Sequence, residues 1–480
     1  MADRRTGARM QLVEVDDAPS VTTGAQPTPP HGAAPDARAG RPRGTLRRWW
    51  PLAALAVLVL TGATVVVSAR NGAFVARVAA VPGLVRPLDA APEPLWQTRA
   101  SIAPGTVLAA DGGLVVLVEG AEAWTVTSHD PASGAPRWTA DVAPVSRSGF
   151  ESTDVICPAS RADLGSLLVC LVREPQVLYS GDVSNQEPPR LAVVPLSARD
   201  GARLGGWEVR GDVVGIDRVG DDIVVGTLDD DRHLLVQRRD ARTGDVVWSM
   251  VTPEVMEAPE QIVTASLHVR PPVVVLHGGQ TLVLDVRDGR TLVTGARFGA
   301  LQVSALGERF ATWAPSGGGH VHAIDGSELY PVEGLPAELT ADDGSLPDGV
   351  IIDEGSQLTA VHEATGAPLW RTQSSLDPRL LVSRRLVASG ASTYGVIDAT
   401  DGTELWEIDT GTALPWYPTS DGTLVLGPGS SPGGGPELWG RGLQDGVRYW
   451  SVALPEGVRR VDAVGGVLVV RTEKELVVYG

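Results

Sequence analysis

Three groups of side chains in this 480-residue chain have the types and spacing to carry chemistry. His320 and His322 alternate on one face of a β-rich run, and imidazoles so placed can begin a metal site, although the spacing fixes no third ligand. Asp229, Asp230 and Asp231 lie between the runs IVVGTL and HLLVQ. A calcium loop would add a glycine and a distal glutamate at set positions, and without them the three carboxylates read as the charged tip of a hairpin. Cys157 and Cys170 are the chain's two cysteines. They are not spaced as C-x-x-C, and no neighbouring His or Cys completes a metal set. Both sit in β-rich runs around a turn near Asp163 to Gly165, and antiparallel pairing would put them opposite one another as a cross-strand disulfide. No phosphate-binding P-loop or H-E-x-x-H pair occurs. The expectation is therefore no catalytic residue, no resident metal and no cofactor: the chain is read as not an enzyme.

The elements that would position these groups are set by a repeat. An Asp (His362 in one copy), then a Thr, Ser or Asp directly before a Gly, and, four residues after that Gly, a Trp recur as DPASGAPRW (Asp130 to Trp138), DARTGDVVW (Asp240 to Trp248), HEATGAPLW (His362 to Trp370) and DATDGTELW (Asp398 to Trp406). Weaker copies end at Trp207, Trp450, Tyr330 and Val293. The glycines at 201, 244, 289, 326, 366, 402 and 446 are 36 to 45 residues apart, the length of one four-stranded propeller blade. Asp and Thr side chains bond the local backbone of a tight turn, Gly supplies positive φ, and the next strand brings an aromatic to its buried face. Short apolar runs such as LVVLV from Leu114 and VVVLHG from Val273 keep the same rhythm, and nothing outside one segment reads as a long helix. The predicted fold is all-β, a propeller over residues 93–480. Its final run ELVVYG is a third strand lacking its fourth, and PLWQT from Pro94 can supply it and close the ring. Eight turns plus this split unit allow nine blades, but the units ending at Val293 and Tyr330 are degenerate, and the expected number is eight, within a range of seven to nine.

The signature (Leu/Ile)-Asp-Ala-x-Thr-Gly-x-x-x-Trp, carried best by Arg239 to Trp248, Val361 to Trp370 and Ile397 to Trp406, resembles the tryptophan-docking motif of pyrroloquinoline-quinone-like propellers, the quinoprotein alcohol dehydrogenase-like superfamily. The resemblance implies structural roles for Trp138, Trp207, Trp248, Trp370, Trp406 and Trp450 as wedges between blades, with Gly134, Gly244, Gly366 and Gly402 in the turns. In the dehydrogenases it also implies a calcium-bound quinone and a vicinal cysteine pair. Here the cysteines are thirteen residues apart and the long insertions that would roof a cofactor are missing, so the oxidative role is not expected to carry over.

Composition bounds the rest. WWPLAALAVLVLTGATVVVSA, from Trp49 to Ala69, has no charge and is long enough to cross a bilayer as a helix. Arg41, Arg43, Arg47 and Arg48 precede it and Arg70 follows, so the N-terminus is expected in the cytoplasm and the propeller outside. A cleaved signal peptide is the competing reading, against which stands a preceding segment of 48 residues. Residues 1–48 are expected to be a disordered tail and 70–92 a linker. The tail holds eight basic and five acidic groups, leaving 32 basic against 53 acidic, or −21, for the rest of a chain of net charge −18. That excludes nucleic acid as a partner. One lysine, Lys474, against 39 arginines reads as the codon bias of a high-GC bacterium. The expected role is a monomeric, membrane-anchored scaffold that binds unknown envelope proteins. The alternatives are a ligand-sensing ectodomain and a quinone-dependent dehydrogenase. The unit between Asp141 and Trp207 takes about 25 residues more than its neighbours, and within it the loop from Phe150 to Arg190 is expected to contribute to the partner surface, the alternative being a surface elaboration without a role.

Overall fold

The computed structural model describes residues 74, 75, 78, 81–99, 107–148, 151–158, 165–174, 190–256, 264–297, 299–315, 317–411, 413 and 415–480. The expected tail and helix over 1–69, and the loop tip over 175–189, lie outside the described residues. Among those described, no helix is long and apolar enough to cross a membrane.

Nine antiparallel sheets follow one another along the chain, each a meander of four strands. Blade 1 occupies residues 107–144, blade 2 residues 154–209, blade 3 residues 212–251, blade 4 residues 266–294 and blade 5 residues 302–332. Blade 6 spans 335–373, blade 7 377–409, blade 8 419–453 and blade 9 460–479. Blade 9 takes its fourth strand from the other end of the propeller: Pro94–Arg99 pairs antiparallel with Glu475–Tyr479, Trp96 opposite Val478 and Thr98 opposite Leu476. A sheet whose last strand comes from the start of the repeat cannot open without breaking a ladder, which removes the free ends of the ring.

The expected count of eight is corrected to nine. The two units that lack the tryptophan are complete blades, Val293 lying in the fourth strand Thr291–Thr294 of blade 4 and Tyr330 in Glu328–Val332 of blade 5. Loss of one aromatic does not erase a blade, because the strand ladders and the apolar faces are kept. Nine separate apolar clusters hold the ring together, one for each blade-to-blade interface. The last of them packs Leu114 and Val116 of blade 1 on Val469 and Val478 of blade 9. Since both faces of each central strand are covered, the strands read as continuous Val and Leu runs such as LLVCLV and VVVL, not as alternation. Each fully buried Val or Leu contributes about 1.5–3 kcal/mol.

The first strands of neighbouring blades touch one another, as at blades 3 and 4 and at blades 7 and 8, and so line the axis. The fourth strands face outwards and are half exposed. Connections between strands 1 and 2 and between strands 3 and 4 therefore share one face of the ring, and the 2–3 and blade-to-blade connections share the other. Axial space is also taken by two further segments. Ala341–Asp342, from the connection after the two-residue first strand of blade 6, adds a parallel fifth strand to blade 7. Residues 81–92, within the segment expected to be a linker, lie against blades 8 and 9: Val85 N–H donates to Ser420 O at 2.9 Å and Arg86 N–H to Gly466 O at 2.9 Å. Leu88 N–H reaches the buried Asp421 carboxylate at 3.1 Å. Gly83, at φ +85°, passes so close to Thr340 that a Cβ would stand 2.8 Å from its carbonyl oxygen, and only glycine meets both conditions.

Candidate functional site

The motif turns are built alike. In blade 3, Asp240 Oδ1 accepts the Arg242 and Thr243 N–H groups at 2.8 and 2.9 Å, and Gly244 N–H returns to Asp240 O at 2.9 Å with φ +76°. Asp130 and Asp398 repeat this in blades 1 and 7, and His362 Nδ1 stands in for the carboxylate in blade 6, accepting Ala364 N–H at 3.1 Å. Hydrogen bonds to the ionised form hold the carboxyls of Asp130, Asp240 and Asp401 below the usual range, the largest cause being the backbone N–H of Ser133, Thr243 and Thr403 respectively. A depressed native pKa stabilises the fold above the unfolded value of about 4, and the benefit is lost as pH falls through the lower native value. The melting temperature should therefore decline as pH drops below about 4, and replacing Asp130, Asp240 and Asp401 together by Asn should flatten that decline. Melts between pH 7 and pH 2.5 check this, and an unchanged acid slope would exclude the turns as its source.

Most glycines so placed lie beneath an aromatic of the preceding blade, while Gly326 of blade 5 lies against the Leu292 backbone. Trp138 covers Gly201, Trp207 covers Gly244, Trp248 covers Gly289, Trp370 covers Gly402 and Trp406 covers Gly446. Their indole N–H groups donate to Ala198 O (2.9 Å), Ala241 O (3.2 Å), Val286 O (3.0 Å), Ala399 O (2.8 Å) and Leu443 O (3.2 Å). Gly134 lies under Trp96, which donates to Pro131 O at 2.9 Å, and Gly366 under Tyr330. Trp450 differs, since the hairpin after it in blade 9, Thr472 to Lys474, has no glycine; it packs over Gly440 of its own blade. Sequence reasoning left Trp96 and Tyr330 out of the set of wedges. The signal was present, since both stand on fourth strands at the tryptophan position.

Cys157 and Cys170 are joined with Cα atoms 4.1 Å apart, in the register that sets Ile156 opposite Leu171. The bridge pins the first strand of blade 2 to its second inside the apolar cluster shared with blade 1. It holds the base of the long insertion, whose two sides meet where Glu174 N–H donates to Arg190 O at 3.0 Å. Asp229 caps its own hairpin, accepting the N–H groups of Asp231 and His233 at 3.0 and 2.8 Å. His322 is buried, stacked on Phe310, with Nε2 2.9 Å from Thr312 Oγ1, while His320 faces Glu328 at 3.7 Å. Among the described residues no group of three His, Cys, Asp or Glu could hold a metal ion. With Cys157 and Cys170 spent on a cross-strand bridge, the chain does not supply the vicinal cysteine pair that the resemblance implies.

Two cavities open on the face opposite the motif turns. A cavity of about 450 Å³ opens there between blades 5, 6 and 7. Its wall is Trp313, whose indole N–H donates to Glu333 O at 3.1 Å, with the carboxylates of Glu338, Asp353, Glu354 and Asp377 around it. Glu338 is paired with Arg270 and Asp377 with Arg379 at 2.9 Å, so the charge is held in place. A second cavity of about 330 Å³ lies over blades 8 and 9, with Gly83 and Thr340 at its floor and Trp416, Tyr417, Arg459 and Arg460 along it. The two share a divider: Arg379, which lines the first, stacks its guanidinium 3.9 Å from the ring centroid of Tyr417, which lines the second and is 56% exposed. Aromatic rings beside fixed charges of both signs can bind a polypeptide or a polar ligand without any reaction.

The sequence matches no family model and no curated protein. Solved structures similar in fold include BamB from Moraxella catarrhalis, at 14% identity over 81% of this chain and 99% of that one, with a TM-score of 0.43. The Dos1 propeller is 10% identical over 81% and 95%, with a TM-score of 0.42, and a europium-containing methanol dehydrogenase 10% identical over 81% and 93%, at 0.39. Likeness at this level carries no function across, and the propeller assignment rests on the chain's own nine sheets.

Proposed function

We propose that this chain is a membrane-anchored, extracytoplasmic propeller of the pyrroloquinoline-quinone-like kind that serves as a non-catalytic protein-interaction scaffold in the cell envelope. The observation that carries the reading is the preformed mouth: two adjoining cavities on one face of a closed ring, divided by Arg379 stacked on an exposed tyrosine. A rigid platform binds at low entropic cost, since its side chains are ordered before the partner arrives. Six motif-turn aspartates with depressed pKa values sit in turns on the opposite face, where hydrogen bonding of the turn accounts for them and no reaction is needed. The apolar run over residues 49–69 supplies the anchor, with the four flanking arginines placing the propeller outside. A ligand-sensing ectodomain is the second reading, favoured by a cavity volume within the range of small-molecule sites.

The test is comparative. Full-length protein and a variant carrying Arg379→Glu and Tyr417→Ala are cross-linked on intact cells and purified, and co-purifying proteins are quantified. Tyr417 is exposed, whereas Arg379 is half-buried and bonded to Asp377 and Ser389, so the melt is recorded for the double variant and for Tyr417→Ala alone. Partner recovery should fall at least tenfold in the double variant and also fall in Tyr417→Ala, whose melt should be unchanged. Equal recovery would remove the mouth from the binding role. Externally added protease should digest the propeller on the same cells, and protection would overturn the orientation.

A further inference from the structure

A propeller presents the outer edge of each blade to solvent, and an unpaired strand edge accepts another strand unless something blocks it. Here eight of the nine outer strands carry a block. Six hold a charge within the strand, at Arg137, Glu208, Glu328, Arg371, Glu407 and Arg448. The outer strand of blade 9 starts with Pro94 and ends with Arg99, and that of blade 4 is only four residues long. Blade 3 is the exception: Val246–Val251, VVWSMV, has six residues without charge, proline or glycine. Val246, Val247 and Val251 are 47, 54 and 56% exposed. The strand pairs on one side with Leu234–Asp240, Leu235 opposite Val251 and Arg238 opposite Trp248, and no described residue pairs with the other side.

We infer that the outer edge of blade 3 is a strand-acceptor site, which takes an extended segment of a partner protein by antiparallel β-addition. The side chains specify that segment. Trp248 and Met250 face the cluster shared with blade 4, and Val247, Ser249 and Val251 alternate onto the opposite, exposed face. Cross-strand neighbours stand about 4.5–5.5 Å apart, so the segment needs β-branched residues opposite Val247 and Val251 with a small polar residue between them. Its flanks should be basic, because the chain after residue 48 carries −21. A second copy of this chain is the poorer occupant. Two such bodies, each carrying −21 after residue 48, repel. The inference leans on the scaffold reading only in supposing a protein partner. Its site lies on the ring's outer wall, away from the mouth, so the two can fail separately.

The probe is a fluorescein-labelled peptide, RTVSVTR, titrated by polarisation against the full chain in detergent. The expected result is saturable binding. It should weaken at least tenfold when the protein carries Val247→Lys with Val251→Lys, and likewise when alternate backbone amides of the peptide are methylated. Hydrogen exchange over residues 246–251 should slow in the complex. Binding that does not saturate, or that is equal for both proteins and both peptides, would overturn the inference. A doubling of mass with concentration in wild type, lost in the lysine variant, would overturn the chosen occupant in favour of a second copy. If the lysine variant melts early, the methylated peptide decides alone. Retained peptide binding by the Arg379→Glu, Tyr417→Ala variant separates this edge from the mouth.

Discussion

Trp370→Ala is expected to lower the melting temperature of the propeller by about 5 °C. The side chain is 8% exposed, lies over Gly402 and donates to Ala399 O at 2.8 Å. Truncating a buried tryptophan costs about 3–5 kcal/mol. Unfolding entropy of about 2.1 cal/mol/K per residue, over a ring of roughly 390 residues, makes each kcal/mol worth about 1.2 °C. The Ala399 carbonyl also loses its donor, which adds to the cavity term. Trp450→Ala is the internal comparison: this ring is only partly buried and covers no glycine of the next blade, so its loss should shift the melt by less than half as much. From the other side of the contact, Gly402→Ala should also destabilise, since φ is +78° and the new Cβ would stand 2.6 Å from the Trp370 ring. Calorimetry on the three variants checks the set, and equal shifts for Trp370→Ala and Trp450→Ala would show that neither deeper burial nor docking on a glycine sets the cost.

The largest effect is expected from removing the strand that closes the ring. Chains beginning at residue 81, 93 and 100 separate the contributions of the axial segment and of Pro94–Arg99. The first should behave as a folded monomer with one melting transition. The second loses the hydrogen bonds of Val85, Arg86 and Leu88 to blades 8 and 9 and should melt a few degrees lower. The third loses the fourth strand of blade 9 and the Trp96 wedge over Gly134, and leaves Glu475–Tyr479 as an open edge beside the first blade. Unpaired apolar edges seek other chains, so this form should aggregate or melt at least 10 °C lower. Size exclusion with thermal melts provides the measurement, and superimposable melts for the second and third chains would refute closure through the N-terminal strand.

What the sequence determined by itself is what local chemistry enforces. Asp240, Thr243 and Gly244 make their turn from bonds within five residues, and the same logic recurs at each motif, so blade spacing and strand order are visible without tertiary information. The disulfide was legible for the same reason, because a hairpin brings Cys157 and Cys170 together through its own register. The closing strand was legible from the unpaired final run and from PLWQT. Blade number was not, because it was counted by tryptophans, whereas packing asks only for an apolar interface, which Val293 and Tyr330 also provide. The axial docking of residues 81–88 was invisible too. Leu88 meets Asp421 across 333 residues, and no local pattern announces a carboxylate buried to receive a distant N–H group. The mouth is of the same kind. Arg379 and Tyr417 are ordinary residues in the sequence and become a divider between two cavities only where the ring's curvature brings blades 7 and 8 together. Turn and hairpin geometry is paid for within a few residues and is written locally, while concave surfaces arise from the closure of nine blades and belong to the tertiary structure alone.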